Sequence, residues 1–343
     1  MIIVMRRFLV VPFFILATLC LARGGENVRF AGDSESKKID VYFGDSYFTS
    51  FLYSDSLEKQ VLYPIVTASG KEITRGFPVR PRPFERADHP HQVGLWFNFG
   101  DVNGLDFWNN SYAIKQENKH RYGSIRFKEI VETDPKTGKL VVAAEWVDNN
   151  GEVLLEEISS YVFKEENGAR SILRSVVLTA KKEVTFTENK EGMFGLRVGR
   201  AFEEPTNTPS NLLDSEGKRT ATRSIHNEGV NGVYRNGDGL TGGEVWGTRS
   251  PWVALRAELE GEAITVVVMD HPENPNYPGW SHARGYGLFG VNNLGGSTMD
   301  KNATAPAIVL GAGEKIAFKY KVVIGGELAD PEIVKMVEVF NQE

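Results

Sequence analysis

The twenty residues from His89 to Trp108, HPHQVGLWFNFGDVNGLDFW, hold two histidines, two tryptophans, three phenylalanines and two aspartates. Such a stretch can both move protons and stack on a flat ligand, because imidazole suits proton exchange and an indole offers a broad apolar face with one polar edge. Read as an extended strand, residues 91–99 place His91, Val93, Leu95, Phe97 and Phe99 on a core face. Gln92, Gly94, Trp96 and Asn98 take the other face, and an amide, a gap, an indole and a second amide suit the wall of a sugar-binding cleft. Asp106 and Trp108 extend that wall. His89 and His91, flanking Pro90, read as acid/base or substrate-binding groups, as metal ligands still lacking a further donor, or as a satisfied structural pair.

A second constellation, WSHARGYGLFG, runs from Trp280 to Gly290. On a strand His282, Arg284 and Tyr286 share one face, separated by small residues that let a ligand or another backbone come close. The alternative is a buried hydrogen-bond ladder between two sheets. Asp270 and His271 end the apolar run Ile264–Met269, where a rigid strand meets solvent; Asp270 is either a catalytic carboxylate or the cap of a turn opened by Pro272. Arg75, Arg86, Arg197 and Arg284 are candidate clamps for a carbonyl or carboxylate, and Trp96, Trp108, Trp246 and Trp280 are candidate stacking platforms. Asp101, Asn103 and Asp106 hint at calcium, but Asn103-Gly104 is the ordinary tight-turn dipeptide and the turn is preferred. No nucleophile elbow, phosphate-cradling glycine loop or dinucleotide fingerprint is present, so neither cofactor nor metal is expected.

Period-two patterns supply the elements that must hold these groups: Ile39-Val41-Phe43, Tyr47 to Tyr53, Leu140 to Trp146, Val153-Leu155, Tyr161-Phe163, Ile172 to Leu178 and Ile316 to Val322. DNNG and EENG between them predict positive-φ hairpin turns and a three-strand antiparallel meander over residues 140–178. Strands this long favour large antiparallel sheets packed face to face. Asp330 as N-cap, Pro331, and the stripe Ile333, Val334, Met336, Val337 and Phe340 predict one C-terminal helix within residues 328–343. The fold expected is an all-β, large antiparallel β-sandwich over residues 39–327 with that short helix behind it.

Residues 1–22 combine Arg6-Arg7, an apolar run and a small-residue end at Ala22, the pattern of a secretory signal peptide; residues 23–38 read as a mobile leader. Leu19 stands where lipidation at Cys20 would need a small residue. A periplasmic or secreted protein is expected. Cys20 is the single cysteine, so the remaining chain has neither disulfide nor thiolate site, and its charge falls from −6 to about −8 once Arg6 and Arg7 are gone. A mildly acidic chain without basic tracts suits neither nucleic acid nor an anionic membrane surface, and no integral membrane association is expected.

The segments YPIVTASGKEITRGFPV, ERADHPHQVGLWFNFGDVNGLDFW, EGMFGLRVGR, VWGTRSPW and MDHPENPNYPGWSHARGYGLFGVN resemble the PmoA-like family of exported bacterial proteins, over about residues 60–325. The resemblance implies a galactose mutarotase-like supersandwich and a setting of sugar processing. The family pattern HPHH reads HPHQ here, with Gln92 in the last place.

Together these readings point to a sugar lyase, hydratase or epimerase using histidine acid/base chemistry on a small carbohydrate; a noncatalytic glycan-binding protein using the same aromatic cleft is the alternative, and a structural role a third. If the export reading holds, N-terminal sequencing of protein secreted from a heterologous bacterial host should find Arg23 as the first residue; retention of Met1 would overturn it.

Overall fold

A computed structural model of the protein describes residues 28–343. The signal-peptide reading of residues 1–22 and the first part of the leader lie outside the described residues. Residues 28–38 do not behave as a mobile leader: Val28–Asp33 is a strand paired antiparallel with Lys38–Phe43, so ordered structure begins well before Ile39.

Two eight-stranded sheets form the body. The first runs, edge to edge, through Val28–Asp33, Lys38–Phe43, Ser46–Leu52, Val61–Ile65, Leu95–Phe99, Gly192–Arg197, Leu288–Asn292 and Trp280–Ser281. The second runs through Val233–Asn236, Trp252–Leu259, Glu262–Asp270, Lys315–Gly325, Ala169–Ala180, Val153–Glu166, Lys139–Val147 and Ser124–Asp134. Every strand pairing is antiparallel, and the expected meander is present as three consecutive long strands. Its second turn works as read: Asn167 and Gly168 both take positive φ, 53° and 77°, which matches the right-handed twist of the strands they join.

Burial alternates residue by residue along Ala169–Ala180, and the inward side chains of both sheets merge into one apolar core. Rings meet across the sandwich at Phe51–Tyr161 (5.7 Å), Phe97–Phe318 (5.3 Å) and Phe194–Tyr320 (4.6 Å, stacked). This is the all-β sandwich expected. Arg174 sits in the core as its register demands, and is tolerated there because Glu157 lies 3.1 Å away while also accepting from the Trp146 indole.

The C-terminal helix, Asp330–Phe340, lays Ile333, Val337 and Phe340 on the outer face of the second sheet against Trp252, Val267 and Met269. Asp330 is not the N-cap. That place falls to Ala329, whose amide donates to Glu332, while the Asp330 carboxylate accepts from Arg235 and Arg256.

Asp270, a catalytic candidate, is instead a tie between the sheets. It is fully buried and accepts from the Gly279 amide (2.7 Å), Asn274 Nδ2 (2.6 Å) and Asn293 Nδ2 (3.1 Å); Asn293 in turn accepts from the Tyr320 hydroxyl (2.5 Å). Burial outweighs these donors and pushes its carboxyl up to about 6. The folded state therefore favours the protonated form. Its contribution to stability is complete below the ordinary value of 3.8 and is lost as pH rises through about 6. Asp270→Ala, which leaves three buried donors unpaired, should cost about 2–4 kcal/mol in urea denaturation, with the gap from wild type narrowing between pH 4 and pH 7. An unchanged midpoint would show that Asp270 does not hold the sheets together.

Candidate functional site

The strand expected over residues 91–99 is shorter than read, and the difference makes the site. Only Leu95–Phe99 is strand; residues 89–92 form a turn closed by the Gln92 amide on the His89 carbonyl (3.0 Å). Gly94 has φ 54°, and a Cβ there would meet the Leu62 carbonyl oxygen at 2.1 Å, so only glycine lets the chain leave the sheet at this point. The alternation of faces fails upstream of it: Val93 packs with Trp96 rather than opposite it.

Arg75 organises that turn. It is 1% exposed and donates to the backbone carbonyls of Arg86 (3.3 Å), Asp88 (2.9 Å), His89 (2.9 Å) and Gln92 (2.9 Å), and to the Asp88 carboxylate (2.8 Å). Arg197, at the end of Gly192–Arg197 and equally buried, donates to the same Asp88 oxygen (3.0 Å) and to the Gln92 side-chain oxygen. Burial and Arg197 pull Arg75 down to about 9, still a cation at neutral pH. Burial alone would raise Asp88, but Arg197, the adjacent His89 imidazole and Arg75 outweigh it and hold the carboxyl well below the usual range.

His89 is the group these contacts present. Its Nδ1 lies 3.2 Å from the Asp88 carboxylate, its side chain is 40% exposed, and its ring stacks at 5.0 Å and 7° on Tyr286. Its φ of 43° is uncommon for a residue with a Cβ and is held by the four carbonyls on Arg75. The arrangement is a carboxylate–imidazole pair with the far edge of the imidazole turned outward. Arg197 lies over Tyr286 at 4.8 Å, and burial raises the Tyr286 phenol despite that cation.

The other expected site residues divide sharply. His91 lies 5.7 Å from His89 and lines a cleft of about 370 Å³ with Lys59, Val79, Pro90, Ser111 and Tyr112; burial, Lys59 and His89 pull its imidazole well below its ordinary value, so it is neutral. Arg86 does not face a ligand, because Glu203 occupies it at 2.6 Å. Trp96 and Trp108 are fully buried and packed on one another at 5.1 Å over Gly195, so they are packing, not platforms. Asn98 donates to the Phe107 carbonyl and Asp106 accepts from Asn109; both hold the chain rather than line an opening.

Residues 282–286 are not the strand expected. Regular strand at this edge of the first sheet covers only Trp280–Ser281, and Arg284 to Leu288 turns back as a hairpin, its Arg284 amide donating to the Leu288 carbonyl (2.8 Å). His282 and Arg284 keep one face, since the His282 amide donates to the Gly290 carbonyl (2.8 Å) in the same register and Ala283 between them enters the apolar core, whereas Tyr286 lies in the turn beyond. His282 is stacked on Trp108 at 5.8 Å inside the aromatic layer, and burial with Arg284 pulls it down to about 3. Arg284 lies over Trp246 at 4.3 Å, and Trp280 is enclosed with Met299 and Ala305 under Arg249. His271 packs edge-on to Phe340 of the helix at 5.0 Å, away from His89 and its partners.

Three groups escaped the sequence reading. Asp88 was legible as the residue beside His89. Lys59 stands two before Val61 and four before Tyr63, in phase with their buried face. Tyr112, 61% exposed on the cleft, carries no periodic signal because it lies on a loop. Among the described residues no group of three or more His, Cys, Asp or Glu is placed to hold a metal, and no helix is long and apolar enough to cross a membrane.

A model described as a family of unknown function (DUF6807) matches residues 38–337. The chain belongs to that family. The match spans both sheets apart from the first strand, Val28–Asp33, together with the His89 turn and most of the C-terminal helix. No curated protein matches this DUF6807 chain. Among solved structures it is similar to the galactosidase domain of an alpha-galactosidase-sucrose kinase (11% identity, TM-score 0.38, 87% of this chain and 42% of that one). It is also similar to the GH36 alpha-galactosidase of Geobacillus stearothermophilus (12%, 0.38, 88% and 40%) and to a galactose mutarotase-like protein from Clostridium acetobutylicum (10%, 0.28, 88% and 99%). The chain spans about two fifths of the length of the first two.

Asp88→Asn removes the one charge shared by two buried guanidiniums and should cost about 3–5 kcal/mol at pH 7. Because the folded carboxyl lies below its ordinary value of 3.8, the stabilisation it brings is complete above that pH and is lost on acidification through the folded value. The gap between wild type and variant in chemical denaturation should therefore stay constant from neutral pH down to about 5 and shrink progressively below about 4. A gap independent of pH would assign the cost to something other than the charge.

Proposed function

We propose that this protein is an exported carbohydrate-active enzyme that moves a proton at a sugar carbon, in the manner of a lyase, hydratase or epimerase, with His89 as the acid/base group. The observation that carries the reading is the Asp88–His89 pair: a carboxylate pinned between Arg75 and Arg197 lies 3.2 Å from a buried Nδ1 that has no other partner, while Tyr286 supports the face of the ring. The cleft bordered by the next two residues, Pro90 and His91, supports a small polyhydroxylated ligand, since the Ser111 hydroxyl offers a hydrogen-bonding group and the exposed Tyr112 ring offers a stacking surface. The arginines thus act through Asp88, and not on the substrate as their sequence context implied. Kinship with PmoA-like proteins and a periplasmic or secreted location belong to the same proposal.

Proton abstraction is read directly as exchange of carbon-bound hydrogen for deuterium. The test is a panel of aldoses, ketoses and uronates incubated with the protein in D₂O and followed by NMR. At least one should exchange with wild type, and His89→Gln should slow that exchange by about 10²- to 10⁴-fold with ligand affinity little changed. Equal exchange by the variant would remove His89 from the chemistry. Sugars that raise the melting temperature with no exchange in wild type would favour the glycan-binding alternative.

A further inference from the structure

We propose that Lys59 is a second reactive group of the cleft, an amine placed to capture the carbonyl of an open-chain sugar as an imine. The substrate class rests on the carbohydrate reading above; the assignment of the residue rests on the geometry of the cleft.

Lys59 is 4% exposed and lines the cleft with His91, Val61 and Val93. Among the described residues its ammonium makes one hydrogen bond, from Nζ to the His91 carbonyl (2.7 Å), and it lies over the Trp96 ring at 5.4 Å. The nearest carboxylates are committed elsewhere. Glu58 accepts from Lys119 (2.8 Å), Arg126 (3.3 Å) and Ser124 (2.6 Å), and Asp106 accepts from the Asn109 amide and side chain (2.8 Å each). A structural lysine buried in this way would be expected to sit against a carboxylate, because the desolvation cost of an ammonium is otherwise uncompensated. Here the compensation is partial: burial pulls the amine down to about 7, against the weaker opposing pull of Glu58 and Asp106. A large fraction is therefore the free amine at neutral pH, the form that attacks carbonyl carbon.

The step balances within the site. The Nζ lone pair forms a bond to the carbonyl carbon, and the π pair moves to oxygen. A proton passes from nitrogen to that oxygen, giving a carbinolamine. The C–O bond then breaks, and hydroxyl with one further proton from nitrogen leaves as water, giving C=N. The neutral His91 ring, on the same wall of the cleft, is the group available to relay these protons.

The test is limited reductive alkylation of the wild-type protein with glycolaldehyde and cyanoborohydride at pH 7, with adducts located by peptide mass spectrometry. Lys59 should acquire the hydroxyethyl group at least about tenfold faster than exposed lysines such as Lys115 and Lys218. The preference should collapse at pH 10, where all amines are substantially free. Labelling of Lys59 at or below the rate of the exposed lysines, or none at all, overturns the proposal. The readout needs no turnover, so failure here leaves the His89 reading standing, and failure of deuterium exchange leaves this one standing.

Discussion

Two guanidiniums almost without water, Arg75 and Arg197, share one carboxylate, and the shape of the site follows from that shortage. A buried guanidinium has five donors to satisfy and no solvent to help. Arg75 turns Nη1 and Nη2 on four backbone carbonyls from residues 86–92, leaving its Nε unpartnered, and those carbonyls can reach it only if the chain leaves the sheet and curls around it. Gly94 permits the departure, and Asp88 neutralises the centre. The unusual backbone of His89 is the residue of that compromise: its carbonyl must point inward to Arg75 while its ring points outward.

The same turn holds both of the groups proposed to be reactive. The His89 carbonyl accepts from Arg75, and the His91 carbonyl, two residues on, accepts from Lys59. One short loop, anchored from beneath by a charge and from the side by an amine, therefore sets the positions of the imidazole and the ammonium together. Its rigidity is electrostatic in origin, whereas the rest of the first sheet is held by apolar contact.

Aromatic residues divide accordingly. Trp96, Trp108 and Trp280 fill space behind the cleft, where an indole buries more apolar surface than any other side chain. Glycine at position 195 leaves room for the first two, since a Cβ there would lie 2.5 Å from the Trp96 ring. Stacking surface for a ligand is left to Tyr112 on a loop, a residue unremarkable by composition and position. Asp270 shows the same division among the acids: a carboxylate at a strand end resembles a catalytic group in sequence, yet here its acceptor capacity is consumed in joining two sheets.

By itself the sequence determined the all-β sandwich, the meander over residues 140–178, the Asn167-Gly168 turn and the apolar stripe of the C-terminal helix. Those features depend on local rules, period-two burial and positive-φ turn chemistry, which act within a few residues. It also marked out the stretch that carries the site, because Asp88, His89 and His91 are neighbours in the chain. Only the tertiary structure decided which polar groups are free. Arg86 is taken by Glu203 more than a hundred positions away, His282 is covered by Trp108, and Lys59 is left without a carboxylate because Lys119 and Arg126 claim Glu58. A side chain's reactivity depends on what remains unpaired after long-range contacts have formed, and no local pattern records that remainder.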